Sequence, residues 1–207
     1  EYNCYPPLFC KILNARGIKI PILNAGGCGS VIKRLGDQLS DLLMVDSPEN
    51  IIITVDLKDA LHQKLAKDYG DLMATLSRAV SEWKKEAVQD VRLHPLPNRI
   101  VCIIQVKKFE SWLISDVEGL KRADLIRADV EAIPDAETIN EPAIWLKDAL
   151  KFESNIKSPQ FAKKVVSALN PLVMKQHSQS FKTFYEECEH MYADWCGSFV
   201  EVCARIS

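Results

Sequence analysis

Asp56 and Asp59 carry the clearest chemical signal in the chain, within Val55-Asp56-Leu57-Lys58-Asp59. They follow Ile51-Ile52-Ile53-Thr54-Val55, a β-branched run that comes after Pro48 and Asn50. That pattern predicts a strand buried on both faces. In open α/β sheets the ligand crevice lies at the carboxyl ends of the strands. A carboxylate leaving such a strand is expensive to bury unless it sits at the mouth, where it can bind a hard cation. The same placement also suits an aspartate that caps the next helix.

Glu110 is the second candidate. It lies in Lys107-Lys108-Phe109-Glu110-Ser111-Trp112-Leu113, just after the apolar run Ile100 to Val106 and in the first turn of an expected helix. If the two runs are neighbouring parallel strands, Asp56 and Glu110 share one rim and can hold Mg²⁺ or Mn²⁺. Alternatively, Glu110 complements the positive end of a helix dipole. A third signal is Gly26-Gly27-Cys28-Gly29-Ser30, followed by Lys33 and Arg34. Amides at a helix start, with two cations nearby, suit an anion. The loop has neither the Walker spacing nor Gly-x-Gly-x-x-Gly, so it does not indicate a nucleotide fold, and a plain tight turn also explains it. Lys107 and Lys108 suit either a local phosphate patch or a solvated face. His62, His94 and His177 stand alone, with no triad partner in sequence. Cys188, His190, Cys196 and Cys203 read as core packing rather than a zinc site.

These residues need a scaffold, and the pattern predicts one. A helix over Tyr2 to Arg16 leads to a short strand, Ile18 to Leu23, and then to a helix over Val31 to Met44 capped by Ser30. After Ile51 to Val55 comes a helical region, Leu72 to Val88, and two more strand candidates, Val91 to Leu96 and Ile100 to Val106. Alternating strands and helices imply an α/β fold with a mostly parallel sheet flanked by helices. Beyond Lys108 the segments are amphipathic, at Phe109 to Ser115, Ala143 to Lys151, Pro159 to Leu169, Ser180 to His190 and Met191 to Ile206, with a loop over Arg127 to Pro142. The expected organisation is an α/β domain over residues 1–125 and a helical C-terminal part over 126–207.

Composition narrows the classes. With 207 residues, 47% of them hydrophobic and 26% charged, the chain is neither collagen-like nor disordered. Its 26 basic and 28 acidic residues leave a net charge of -2, so any nucleic acid must be held by a local patch. The apolar runs are too short to span a bilayer. Seven scattered cysteines without a Cys-x-x-Cys pair fit a soluble, reduced, cytoplasmic protein.

The run Ile51 to Asp59 together with Lys107 to Asp116, containing Phe109-Glu110-Ser111 and Leu113, resembles the Toprim-like bacterial family called domain of unknown function 4276. Ser178-Gln179-Ser180-Phe181 is similar to that family's C-terminal Ser-x-Ser-Phe element. The resemblance implies a Toprim-like sheet and a site for Mg²⁺ or Mn²⁺ serving phosphodiester cleavage. Asp56 matches the first acid of an Asp-x-Asp pair, while the second falls on Lys58; Asp59, one residue out of register, is its substitute. Glu110 matches the acid of the Phe-Glu motif. Glu1-Tyr2 fits the end of a Glu-Gly-x-Thr-Glu opening, which adds Glu1 to the acidic set and sets the first strand upstream of residue 1. Lys33, Arg34, Lys107 and Lys108 become the expected nucleic-acid contacts. The resemblance also implies an anti-phage setting beside an ATPase of the overcoming-lysogenization-defect type. Two functions stay open, a metal-dependent nuclease or nuclease subunit and a catalytically inactive binding or sensor module that partners the ATPase. Lys58 in place of an acid favours the second.

Overall fold

A computed structural model describes residues 4–14, 22–24, 26–152, 158–193 and 201–205. In chain order the elements begin with α1 (Tyr5–Ile12), β1 (Ile22–Asn24), α2 (Cys28–Asp46), β2 (Asn50–Asp56), α3 (Leu57–His62), α4 (Tyr69–Ala87) and β3 (Arg99–Gln105). They continue with α5 (Phe109–Leu113), α6 (Val117–Arg122), α7 (Pro142–Ala149), α8 (Pro159–Ala168), α9 (Pro171–His177), α10 (Gln179–Ala193) and β4 (Glu201–Arg205). The protein is mixed α/β, mostly helical, with parallel strand pairs flanked by helices. It divides into two compact units, one of residues 1–16 with 105–190 and one of 17–104 with 191–207. Each unit thus takes two stretches of chain.

The unit containing 17–104 holds the sheet, in the order β1-β4-β2-β3. β4 runs parallel to both of its neighbours, with Ile22 opposite Cys203 on one side and Ile52 opposite Cys203 on the other. All seven residues of β2 are buried, as its β-branched sequence dictates. Ile51, Ile53 and Val55 share a core with the α2 stripe Val31, Leu35, Leu39 and Leu42 and the α4 stripe Leu72, Leu76, Val80 and Trp83. Both stripes recur at helical spacing. Asp68 starts α4 by accepting from Asp71 N at 2.8 Å. Trp83 of α4 packs against α2 and its Nε1 donates to Ser40 Oγ at 3.0 Å.

Three sequence expectations are corrected here. Val91–Leu93 is a 3₁₀ turn, not a strand, because Asp90 caps it by accepting from Arg92 N, and Pro95 and Pro97 lack the donors a ladder needs. Ser30 lies inside α2, whose N-cap is Gly27; Gly26 at φ 77 and Gly27 at φ 104 turn the chain early enough to start the helix at Cys28. Met191 to Ile206 is not all helix, because α10 ends at Ala193 and Glu201–Arg205 is β4. Val202, in that strand, prefers extended backbone. Of the strand expected over Ile18 to Leu23, residues 18–21 lie outside the described residues.

The other unit packs helices around aromatic rings. Tyr5 of α1 lies 4.9 Å from Phe109, Trp112 lies 5.0 Å from Phe184 and 5.4 Å from Phe181, and all five rings are buried. This cluster ties the N-terminal helix to α5 and α10. Lys11 adds to it by donating to the Val166 and Ser167 carbonyls at 3.0 and 2.7 Å, at the end of α8. The Ser-x-Ser-Phe element is an internal fastening: Glu137 Oε1 accepts from Ser178 Oγ, Ser180 N and Ser180 Oγ at 2.8, 2.7 and 2.5 Å. Trp112 Nε1 in turn donates to Ser180 Oγ at 2.8 Å. Asp116, 1% exposed, accepts from Gly119 N and Asn170 N, each at 2.8 Å.

Candidate functional site

In the sheet unit, β1 and β2 run the same way through the intervening β4, and each feeds a helix at its carboxyl end. In open parallel sheets the ligand crevice lies at this rim. From β1 the chain turns through Gly26 and Gly27 into α2; from β2 it turns at Asp56 into α3. Asp56 is 4% exposed and occupies the α3 N-cap position with extended backbone, yet its side chain makes no capping hydrogen bond. Asp59 lies in the first turn of α3. Asp56 thus stands at the carboxyl end of β2, with Asp59 in the first turn of the helix that follows.

Cys28 belongs to this rim and was missed. It opens α2, is buried, and its thiol is lifted from the ordinary 9.0 to about 11, first by burial and then by the charges of Asp56 and Asp59. The coupling ties the glycine loop electrostatically to the two aspartates. In sequence Cys28 looked like one more small hydrophobe, since the parallel arrangement that brings it toward Asp56 depends on β4. Gly29 is the second link: a Cβ there would lie 3.1 Å from Gln63 Oε1 and 3.7 Å from Leu65, so the start of α2 rests on the chain leaving α3.

Glu110 belongs to the other unit. It stands in the first turn of the five-residue α5, 9% exposed, and its Oε2 accepts no hydrogen bond among the described residues. Beside it in that unit is Cys4, whose thiol is raised to about 11, chiefly by burial, with the Glu110 charge adding to the rise. Glu1 lies outside the described residues. Among the described residues no three His, Cys, Asp or Glu side chains form a ready metal cage.

The expected phosphate contacts divide. Lys33 is exposed on α2, and Arg34 next to it pairs with Asp37 at 3.6 Å where the helix kinks, with φ -129 and ψ 19. Lys107 donates to Asn140 at 3.2 Å, and Lys108 is the N-cap of α5. Among the described residues no helix is long and apolar enough to cross a membrane.

A protein-family model described as a domain of unknown function, DUF4276, matches residues 1–189. No curated protein and no solved structure gives a significant match.

Proposed function

The chain belongs to the DUF4276 family, and from that premise we propose that it is a divalent-metal-dependent nuclease, or the nuclease subunit of a bacterial defence system, with a Toprim-like sheet. The observation that carries this reading is the rim where Asp56 and Asp59 stand at the carboxyl end of a parallel strand, coupled to the Gly26-Gly27-Cys28 turn. Two hard carboxylates suit Mg²⁺ or Mn²⁺, ions that take one or two protein carboxylates and complete their shells with water and substrate phosphate. Asp56 and Asp59 would hold the ion. Asp56, on the last residue of a fully buried strand, fixes its position, and Asp59, one helical turn on, closes the same side. When bound, such an ion polarises a scissile phosphate and generates the attacking hydroxide. Burial keeps the neighbouring Cys28 protonated at neutral pH and adds no further negative charge to the rim.

Lys58 supports a second reading, a catalytically inactive module that partners an ATPase, because a cation stands where a Toprim-type pair has its second acid. One set of measurements separates the two. For a nuclease, Mg²⁺ or Mn²⁺ raises the melting temperature and permits cleavage of DNA or RNA, and Asp56→Ala removes both effects. Absence of a metal-dependent shift and of cleavage, together with tight ATPase binding, would overturn the nuclease reading.

A further inference from the structure

The turn that closes α3 carries a cation in a conformation that favours glycine. Lys64 has φ 56, its amide donates to the Leu61 carbonyl at 3.0 Å, and the Leu65 amide donates to the Ala60 carbonyl at 2.9 Å. This is a Schellman ending, in which the left-handed residue is usually glycine because a side chain there is strained. Lys64 is exposed. Its two neighbours, Gln63 and Leu65, are the residues that meet Gly29 at the start of α2. Lys33 lies one turn beyond Gly29, and side chains at such a spacing share a face and lean toward the helix start. Gly29 has no side chain of its own to fill that surface. Lys64 thus adjoins the residue whose carboxamide meets Gly29, and Lys33 follows Gly29 by one turn, all three of Lys33, Gln63 and Lys64 being exposed on the sheet unit. The six residues of α3 separate this surface from Asp56 by about 9 Å of helix axis.

From this placement we infer that Lys33 and Lys64, with Gln63 between them, bind the backbone phosphates of a nucleic-acid strand whose scissile phosphate lies at Asp56. The inference rests on the nuclease reading and names the substrate track of that site. It keeps Lys33 of the four sequence candidates and adds Lys64, which no motif marked. Arg34 is engaged by Asp37, and Lys107 by Asn140 in the other unit.

The test is fluorescence anisotropy with a labelled DNA oligonucleotide and its RNA counterpart, in EDTA so that nothing is cut, across a salt series. Lys64→Gly is the decisive variant, because glycine relieves the left-handed strain while removing the charge. It should leave the melting temperature unchanged or raised, yet weaken binding several-fold and lower the slope of log K against log salt by about 1. Lys33→Ala should do the same to binding, and Lys64→Arg should restore it. Lys84→Ala, at the far end of α4, should have no effect. If the oligonucleotides bind and both lysine variants bind as wild type does, the inference falls and the nuclease reading stands. If neither nucleic acid binds the wild-type protein, both fall together.

Discussion

Two buried aspartates, one in each unit, occupy the N-cap position of a short helix, and they are used in opposite ways. Asp116 is surrounded by donors: Gly119 N and Asn170 N supply hydrogen bonds at 2.8 Å, and Arg122 lies 4.0 Å away. Even the space around it is committed, since a Cβ on Gly119 would fall 2.3 Å from Asp116 Oδ2 and 2.8 Å from the Ala168 carbonyl. Asp56, 4% exposed, makes no capping hydrogen bond to the helix it begins, and its charge opposes the ionisation of the Cys28 thiol. A buried carboxylate is expensive, and the donors around it decide how firmly it is bound into the helix that it caps. The contrast shows that burial and N-cap position alone do not tell the two aspartates apart.

The largest effect that would sharpen the contrast is on the structural side. Asp116→Ala should lower stability by about 3 kcal/mol in urea unfolding, because the buried Gly119 amide and the part-buried Asn170 amide lose a charged acceptor. Gly119→Ala should be comparably harmful through the clash. Next comes the metal. At an ion concentration about 100 times Kd, wild-type protein should gain about 2.7 kcal/mol, and Asp56→Ala should lose that gain while changing metal-free stability by no more than about 1 kcal/mol. If Asp56→Ala proved as damaging as Asp116→Ala without metal, the distinction drawn above would collapse. Ser180→Ala should cost about 1–2 kcal/mol, since it strips one fastening from both Glu137 and Trp112.

The smallest effect concerns the Cys28 thiol. The folded chain keeps this proton up to about 11, whereas the unfolded chain releases it near 9.0, so its contribution to stability is intact below 9.0 and declines as pH rises through 11. Cys28→Ala should flatten that part of the alkaline unfolding profile, and Asp56→Asn should lower the thiol pKa and speed its alkylation at pH 9. Alkylation unchanged by Asp56→Asn would separate the glycine loop from the aspartates.

What could be read from the sequence was local. Ile51 to Val55 declared a buried strand by composition, and the α4 stripe declared itself by period, so Asp56 at a strand exit could be found without coordinates. Segment 91–96 misled because its β-branched and apolar residues masked a capped turn, the prolines being the signal that pointed the other way. β4 was illegible for a different reason. A parallel strand takes its identity from partners far away in the chain, and Val202-Cys203-Ala204 fits an amphipathic helix as well as an extended ladder. Cys28 followed from that miss, because its approach to Asp56 requires knowing that β1 and β2 flank one strand. The Ser-x-Ser-Phe element was seen as a motif, but only Glu137, 41 residues before Ser178, explains its two hydroxyls.

The position of β4 sets an order of events during synthesis. β1 and β2 both leave the ribosome early, but the strand that joins them follows only after every residue from 105 to 190, the whole C-terminal stretch of the other unit, has been made. Throughout that interval the growing chain has a slot one strand wide, bordered by two edges that both await a parallel partner. Any extended segment of suitable register can enter such a slot, and unpaired strand edges in incomplete chains are where misassembly begins. The aromatic cluster, by contrast, draws its later members from one continuous stretch and can close as soon as α10 appears. Nascent chains stalled after residue 190 should therefore resist protease across the helical unit while the sheet unit is still cut.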